Sequence, residues 1–269
     1  MFKQLEFLSR EECERAWETL KVMRSHWTHR HPSAPFYTLG APSYLDAADP
    51  ASADGYYRRA RQENPLLVDH FDWLYDKLAR ALGAALEGAC VYTDRFGRPG
   101  FHIFLPDSVF AHPFASVHID LQYELLDWPV HPAPDFDHPL SFTASIVLPS
   151  TGAGINVWDI QYVHRWGRLR KAVSRAAHAL HPSFARHSPG ALKVNGERQL
   201  HEIDEMLALT RMIAPRFHPY RVGGLVVHSG HTVHQIAPMP QPPDAEGSMA
   251  RITLQGHAIR TGGVWRLYW

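Results

Sequence analysis

Two His-x-Asp triplets stand out in the chain: His70-Phe71-Asp72 and His118-Ile119-Asp120. An imidazole nitrogen and a carboxylate oxygen held side by side are two of the three protein ligands of a 2-His-1-carboxylate site. Such a site leaves three positions of an octahedral Fe(II) open for a cosubstrate and O₂. The chain has 19 histidines, and about one such triplet is expected by chance, so the pattern alone decides nothing. The surrounding period decides. His70 and Asp72 fall inside a helical pattern, where residues two apart are separated by roughly 200° around the axis and cannot share an ion. They read as solvated or capping residues. His118 and Asp120 fall in "SVHIDLQYE", whose alternation reads as a strand. There His118, Asp120 and Gln122 share one face, and Val117, Ile119 and Leu121 the other.

A third ligand must come from a distant strand. "GGLVVHSGHTVHQIAP" (223–238) offers His228, His231 and His234, with Ser229-Gly230 as a turn signal. Spacing leaves the choice open. The i, i+3, i+6 spacing suits neither a strand face nor a helix face, which argues against a three-histidine zinc cluster. Further on, Arg251 opens the apolar run "ITLQGHAI". A buried guanidinium there requires an anionic partner, and its planar fork of donors suits a carboxylate. The bland alternative is a surface salt bridge.

The elements that must position these residues change character near residue 90. Before it, Ser9 and Glu12 form a capping-box pattern ahead of a helix to about Arg24. Residues 29–55, rich in Pro, Ala and aromatics, read as an irregular packed loop. Asn64-Pro65 reads as the start of a second helix running to about Leu86. After residue 90, "CVYTD", "GFHIFL", "SVHIDLQYE", "SFTASIVLP", "INVWDI", "GLVVHSG", "HTVHQIA" and "RITLQGHAIR" read as strands punctuated by Gly, Pro and Asp. Strands after two helices predict a sandwich or barrel with a helical flank. A helical insert is expected over about 162–187 and another helix over about 199–213. Asn156 and Trp158 alternate on one strand and are candidates to line a pocket, with core packing the rival for Trp158. Tyr123 and Trp128 stand in the same balance.

Composition narrows the function. The 269 residues carry 27 Lys+Arg against 27 Asp+Glu. Nothing global therefore favours nucleic acid or a membrane. Cys13 and Cys90 are the only cysteines, which excludes a disulfide framework or a Cys-rich zinc site and fits a reducing cytoplasm. No apolar run is long enough for a signal core or a membrane span. From Gln161 to Gly196 there is no Asp or Glu, but there are seven basic residues, among them Arg165, Arg168, Arg170 and Lys171. That reads as the solvated face of a helix, or as a basic lid over an anionic substrate. The aromatic C-terminus "GGVWRLYW" is expected to dock on the body or on a partner subunit.

Taken together, "VHID", "GGLVVHSGHTVHQIAP" and "ARITLQGHAIR" resemble the Fe(II)/2-oxoglutarate-dependent oxygenases, particularly their phytanoyl-CoA-dioxygenase-like branch. The resemblance covers about residues 100–262. It implies a mainly β protein with flanking helices, built as a double-stranded β-helix (cupin-like jelly roll). It also implies one domain over 1–269, with a helical flank over 1–90 and a jelly-roll core over 91–269 interrupted at about 162–213. By its register His118, Asp120 and His234 are the iron ligands, Arg251 is the anchor for 2-oxoglutarate, and Thr253 is the accompanying hydroxyl. The cofactors implied are Fe(II), 2-oxoglutarate and O₂. Gln122, Tyr123, Asn156 and Trp158 are the candidate substrate residues. Two departures stand out: Gly224 occupies a position where the family often has Asp, and the Pro-rich "MPQPPDAEGSM" lengthens the path from His234 to Arg251, which leaves Arg260 as a reserve anchor. Related halogenases replace the Asp with a small residue; with Asp120 present, the resemblance implies hydroxylation, desaturation or ring formation on a small molecule. A peptide or protein hydroxylase, a non-catalytic cupin-fold binding protein and, more distantly, a zinc hydrolase are the rivals. Monomer and homodimer are both open.

Overall fold

The computed structural model describes residues 1–47, 53–129, 131–150, 152–161, 209–239 and 250–269. The chain opens with strand β1 (Phe2–Glu6) and helix α1 (Arg10–Val22). The short strands β2 (Thr28–His29) and β3 (Phe36–Leu39), the helical turn α2 (Ser43–Asp46) and the long helix α3 (Ala53–Leu86) follow. Then come β4 (Cys90–Tyr92), β5 (Gly100–Phe104), β6 (Pro134–Val147), β7 (Gly154–Gln161), β8 (Arg216–Pro219), β9 (Gly224–Ser229), β10 (Thr232–Ile236), β11 (Arg251–Thr261) and β12 (Val264–Tyr268). The major sheet runs β1-β9-β6-β11-β5-β3-β2, with β12 between β11 and β4; the minor sheet runs β10-β7-β8. All pairings are antiparallel except β12 with β4. This is the jelly-roll architecture, with helices outside.

Alternation along the strands divides the major sheet into two faces. Ile252, Leu254 and Ala258 of β11, with Phe142, Ala144 and Ile146 of β6, meet Ala16 and Leu20 of α1 and Phe71, Leu74 and Leu78 of α3 in the main core. The intervening residues, Ser141, Thr143, Ser145, Arg251, Thr253 and His257, are buried on the other face. Helix α1 is fixed at its start by the expected capping box. The Ser9 amide donates to Glu12 Oε2 at 2.7 Å, and the Glu12 amide donates to Ser9 Oγ at 3.2 Å. Among the described residues, no helix is long and apolar enough to cross a membrane.

Several expectations are corrected. "SVHIDLQYE" is not a strand: it makes one isolated bridge, at His118, and then a 3₁₀ turn over Gln122–Leu125. Its alternation records an extended backbone with Ile119 and Leu121 buried in a second core, which needs no ladder. Helix α3 begins at Ala53, not Asn64, and runs through Pro65. Asn64 instead ties down the loop before β5, donating to the Phe96 carbonyl and accepting from the Arg98 amide. The helix is interrupted at Phe71 (φ −132°, ψ 21°), and both polar members of the first triplet serve the backbone. His70 Nδ1 lies 3.0 Å from the Leu66 carbonyl, and Asp72 Oδ1 accepts from the Trp73 amide at 2.6 Å. The irregular loop of 29–55 contains β3, which pairs with β5. The C-terminal segment docks on the chain's own body: β12 joins the sheet and Trp269 is fully buried. The basic stretch 162–187 lies outside the described residues, as does the second expected helix up to residue 208; residues 209–212 are helical.

Candidate metal centre

His118 and His234 are joined by two backbone bonds. The His118 amide donates to the His234 carbonyl and the His234 amide to the His118 carbonyl, each at 2.9 Å. Residues opposed in this way project to the same side of the ladder, and the two rings lie 4.3 Å apart. The Asp120 amide donates to the Gly230 carbonyl at 2.7 Å, so the turn between β9 and β10 fixes the carboxylate beside the rings. His118 Nε2 is 3.8 Å from Asp120 Oδ1, and His234 Nε2 is 3.4 Å from Asp120 Oδ2. One ligand atom from each of the three lies within 4.8 Å of the others. His231 points elsewhere, its Nε2 3.0 Å from the Tyr123 hydroxyl.

The hydrogen bonds select the metal-binding tautomers. His118 Nδ1 lies 2.8 Å from the Ser116 carbonyl, and His234 Nδ1 lies 2.8 Å from the Thr232 carbonyl. A carbonyl only accepts, so each Nδ1 carries the proton and each Nε2 presents its lone pair to the cluster. Burial drives the His234 pKa down to about 3 against the pull of Asp120, which keeps the ring neutral. Burial alone would raise the Asp120 pKa. Positive charge on the surrounding imidazoles, His234 first and then His257, His118 and His228, would pull it below its usual range. Asp120 Oδ1 accepts from Gln122 Nε2 at 2.8 Å and Oδ2 from Ser141 Oγ at 2.5 Å.

A cavity of about 80 Å³ opens on this cluster, bordered also by Tyr44, His102, Gln122, Tyr220, His228 and Gln255. Arg251 lies at its margin. Ala115 and Ile236 border both the main cavity and a smaller one that Arg251 lines. Its guanidinium carbon is 5.2 Å from the centre of the Tyr220 ring and 5.7 Å from that of Phe104. The side chain is fully buried, the Tyr220 hydroxyl is the one group that partners its guanidinium among the described residues, and no carboxylate there pairs with it. Burial lowers its pKa, and Tyr220 opposes that shift. A buried guanidinium without a carboxylate partner is the mark of a site built for an anion. Thr253, also fully buried, shares the strand face of Arg251 but does not border the cavity; its Oγ1 accepts from Gln255 Nε2 at 3.2 Å. Arg260 is exposed, on the far stretch of β11 beside Trp265.

The other expected pocket residues divide. Gln122 borders the cavity. Tyr123 is buried in the second core, stacked on Phe136 at 5.0 Å. Trp158 packs in that same core and donates to the Ile213 carbonyl at 2.9 Å. Asn156 lies on the face of β7 opposite to Ile155, and it is Ile155 that borders the cavity. Sequence reasoning missed Ser141, His257 and Tyr220, whereas His228, weighed as a third ligand, borders the cavity without joining the cluster. The polar residues alternating through "SFTAS" and "TLQGH" carried a signal for the first two.

No family model matches the sequence, and no curated protein matches it. Solved structures do match the fold. A crystal structure of an N-substituted L-amino acid dioxygenase from Burkholderia ambifaria AMMD aligns at 15% identity over 100% of this chain and 86% of that chain, with a TM-score of 0.55. A second structure under the same name, in complex with alpha-KG, aligns at 15% identity over the same shares with a TM-score of 0.54. The likeness is one of fold.

Proposed function

We propose that this chain is an Fe(II)- and 2-oxoglutarate-dependent oxygenase that oxidises an unactivated C–H bond of a small molecule, converting 2-oxoglutarate to succinate and CO₂. The observation that carries this is the convergence of His118, Asp120 and His234, with both Nε2 lone pairs released toward one point. The donor set suits Fe(II) with open positions. Arg251 supplies the second half of the argument, because its guanidinium, without a carboxylate partner among the described residues, fits the far carboxylate of 2-oxoglutarate, with Thr253 beside it on the same strand face. The bound iron and cosubstrate would activate O₂.

The protein's own part is positioning and exclusion. His118, Asp120 and His234 would hold the ion, and Gln122 and Ser141 orient the carboxylate. Asp120 fills the position that a halide would need, which favours hydroxylation, desaturation or cyclisation. The narrow cavity favours a small molecule over a peptide, and its described lining contains no carboxylate except Asp120 and neither Lys nor Arg. The free thiols of Cys13 and Cys90 favour a reducing compartment such as the cytoplasm.

The test is anaerobic addition of Fe(II) and 2-oxoglutarate. The wild type develops a weak visible charge-transfer band and, under air, forms succinate; His118→Ala does neither. A wild type that shows no band and no succinate refutes the assignment. Tight zinc with no response to 2-oxoglutarate replaces it with a hydrolase.

A further inference from the structure

Ser141 lies at the middle of a row across the inner face of the major sheet. It pairs with His228 of β9 on one side and with His257 of β11 on the other. Its hydroxyl donates to Asp120 Oδ2 at 2.5 Å, and His257 Nδ1 lies 3.1 Å from Ser141 Oγ. A serine has one proton and an ionised carboxylate only accepts. The bonds therefore have one direction: His257 Nδ1–H donates to Ser141, and Ser141 donates to Asp120. The His257 ring is itself packed on Tyr268, with centres 5.5 Å apart.

The same strand reaches Asp120 by a second route. The Gly230 amide donates to the Pro139 carbonyl at 2.8 Å, and the Gly230 carbonyl accepts the Asp120 amide. Strand β6 thus holds the backbone of Asp120 through Pro139 and its carboxylate through Ser141. The flanking Leu140 and Phe142 are buried in the main core, so the strand itself has little freedom.

We propose that Ser141, oriented by His257, is the positioning residue that sets the Asp120 carboxylate for the metal, and that the central strand thereby fixes the geometry of a ligand lying outside both sheets. The inference rests on the metal site proposed above. Hydrogen-bond partners of ligands change metal affinity by about 10–100-fold when removed.

The test titrates metal-free protein with Co(II) alone, by calorimetry and by the visible absorption of the bound ion, with thermal unfolding of each metal-free variant alongside. Wild type binds one equivalent and His118→Ala does not. Ser141→Ala binds about 10–100-fold more weakly with an altered spectrum, Ser141→Thr recovers most of the affinity, and His257→Phe shifts affinity in the direction of Ser141→Ala. Wild-type affinity and spectrum in Ser141→Ala would overturn the positioning role while leaving the metal site standing. Equal loss in Ser141→Ala and Ser141→Thr would also overturn it, by tracing the effect to packing and not to the hydroxyl. Absence of Co(II) binding by the wild type would remove the metal site and this inference with it.

Discussion

Arg251→Met separates function from stability at one position. In the metal-free protein the guanidinium is buried with no carboxylate partner among the described residues, and Tyr220 leaves most of its donors unmatched. Each buried donor left unmade costs about 1–3 kcal/mol, and replacing buried charge by apolar groups of similar volume gains about 1–4 kcal/mol. Against this, the contacts with the Phe104 and Tyr220 rings are worth about 0.5–2 kcal/mol. The net expectation is a gain of about 2 kcal/mol, or about 4–8 °C in Tm for a chain of this size. The order reverses once ligand is present. With Mn(II) bound and air excluded, 2-oxoglutarate at a hundred times its Kd adds about 2.7 kcal/mol to the wild type and nothing to the variant. Differential scanning calorimetry of both proteins, with and without 2-oxoglutarate over Mn(II), reads both effects. A metal-free Arg251→Met that melts several degrees below wild type would show that the fold itself satisfies the guanidinium. An undiminished 2-oxoglutarate shift in the variant would remove Arg251 from the cosubstrate site.

Two further outcomes are expected. Gly230→Ala places a Cβ 3.0 Å from the Asp120 carbonyl oxygen and 3.4 Å from the Pro139 ring. Co(II) affinity should fall several-fold with unfolding weakened by about 1 kcal/mol; unchanged affinity would show that the turn does not hold the ligand. Burial raises the Cys13 thiol from its ordinary 9.0 to about 11. The unfolded thiol loses its proton first, so between pH 9 and 11 the folded state binds more protons and stability falls as pH rises. Cys13→Ala should flatten the loss of Tm across that window, and an equally steep loss would exclude this thiol as its source.

The fold class and the three residues that cluster were legible in the sequence, and the local structure that presents them was less so. Helical against extended period separated the two triplets correctly, although the second sits on a single bridge and not in a strand. Periodicity reports which side of an extended backbone is buried, and Ile119 and Leu121 are buried without a ladder. Asn64-Pro65 carried a helix-start signal, but proline is tolerated along α3 and the asparagine was needed elsewhere. Asn156 and Trp158 failed as pocket residues for want of one residue of parity: the Gly-rich turn before β7 does not reveal which alternate set faces inward. Tyr220 had no local signal, because its place beside Arg251 is set by the meeting of two sheets. Strands β1 and β8 are largely exposed and β2 has only two residues, so none carries an apolar alternation to read.

The two-faced character of β11 has a consequence for how this protein tolerates change. Arg251, Thr253 and His257 face the chemistry, while Ile252, Leu254 and Ala258 face the helices. Neighbouring positions on one strand therefore answer to different requirements. A scan of substitutions along 251–258 should alternate with a period of two, the odd positions losing turnover in folded protein and the even positions losing soluble protein. An insertion or deletion of a single residue in this strand would exchange the two sets. It would put hydrocarbon where the proposed cosubstrate anchor stands and a guanidinium against the helices, so drift in this segment must proceed by substitution.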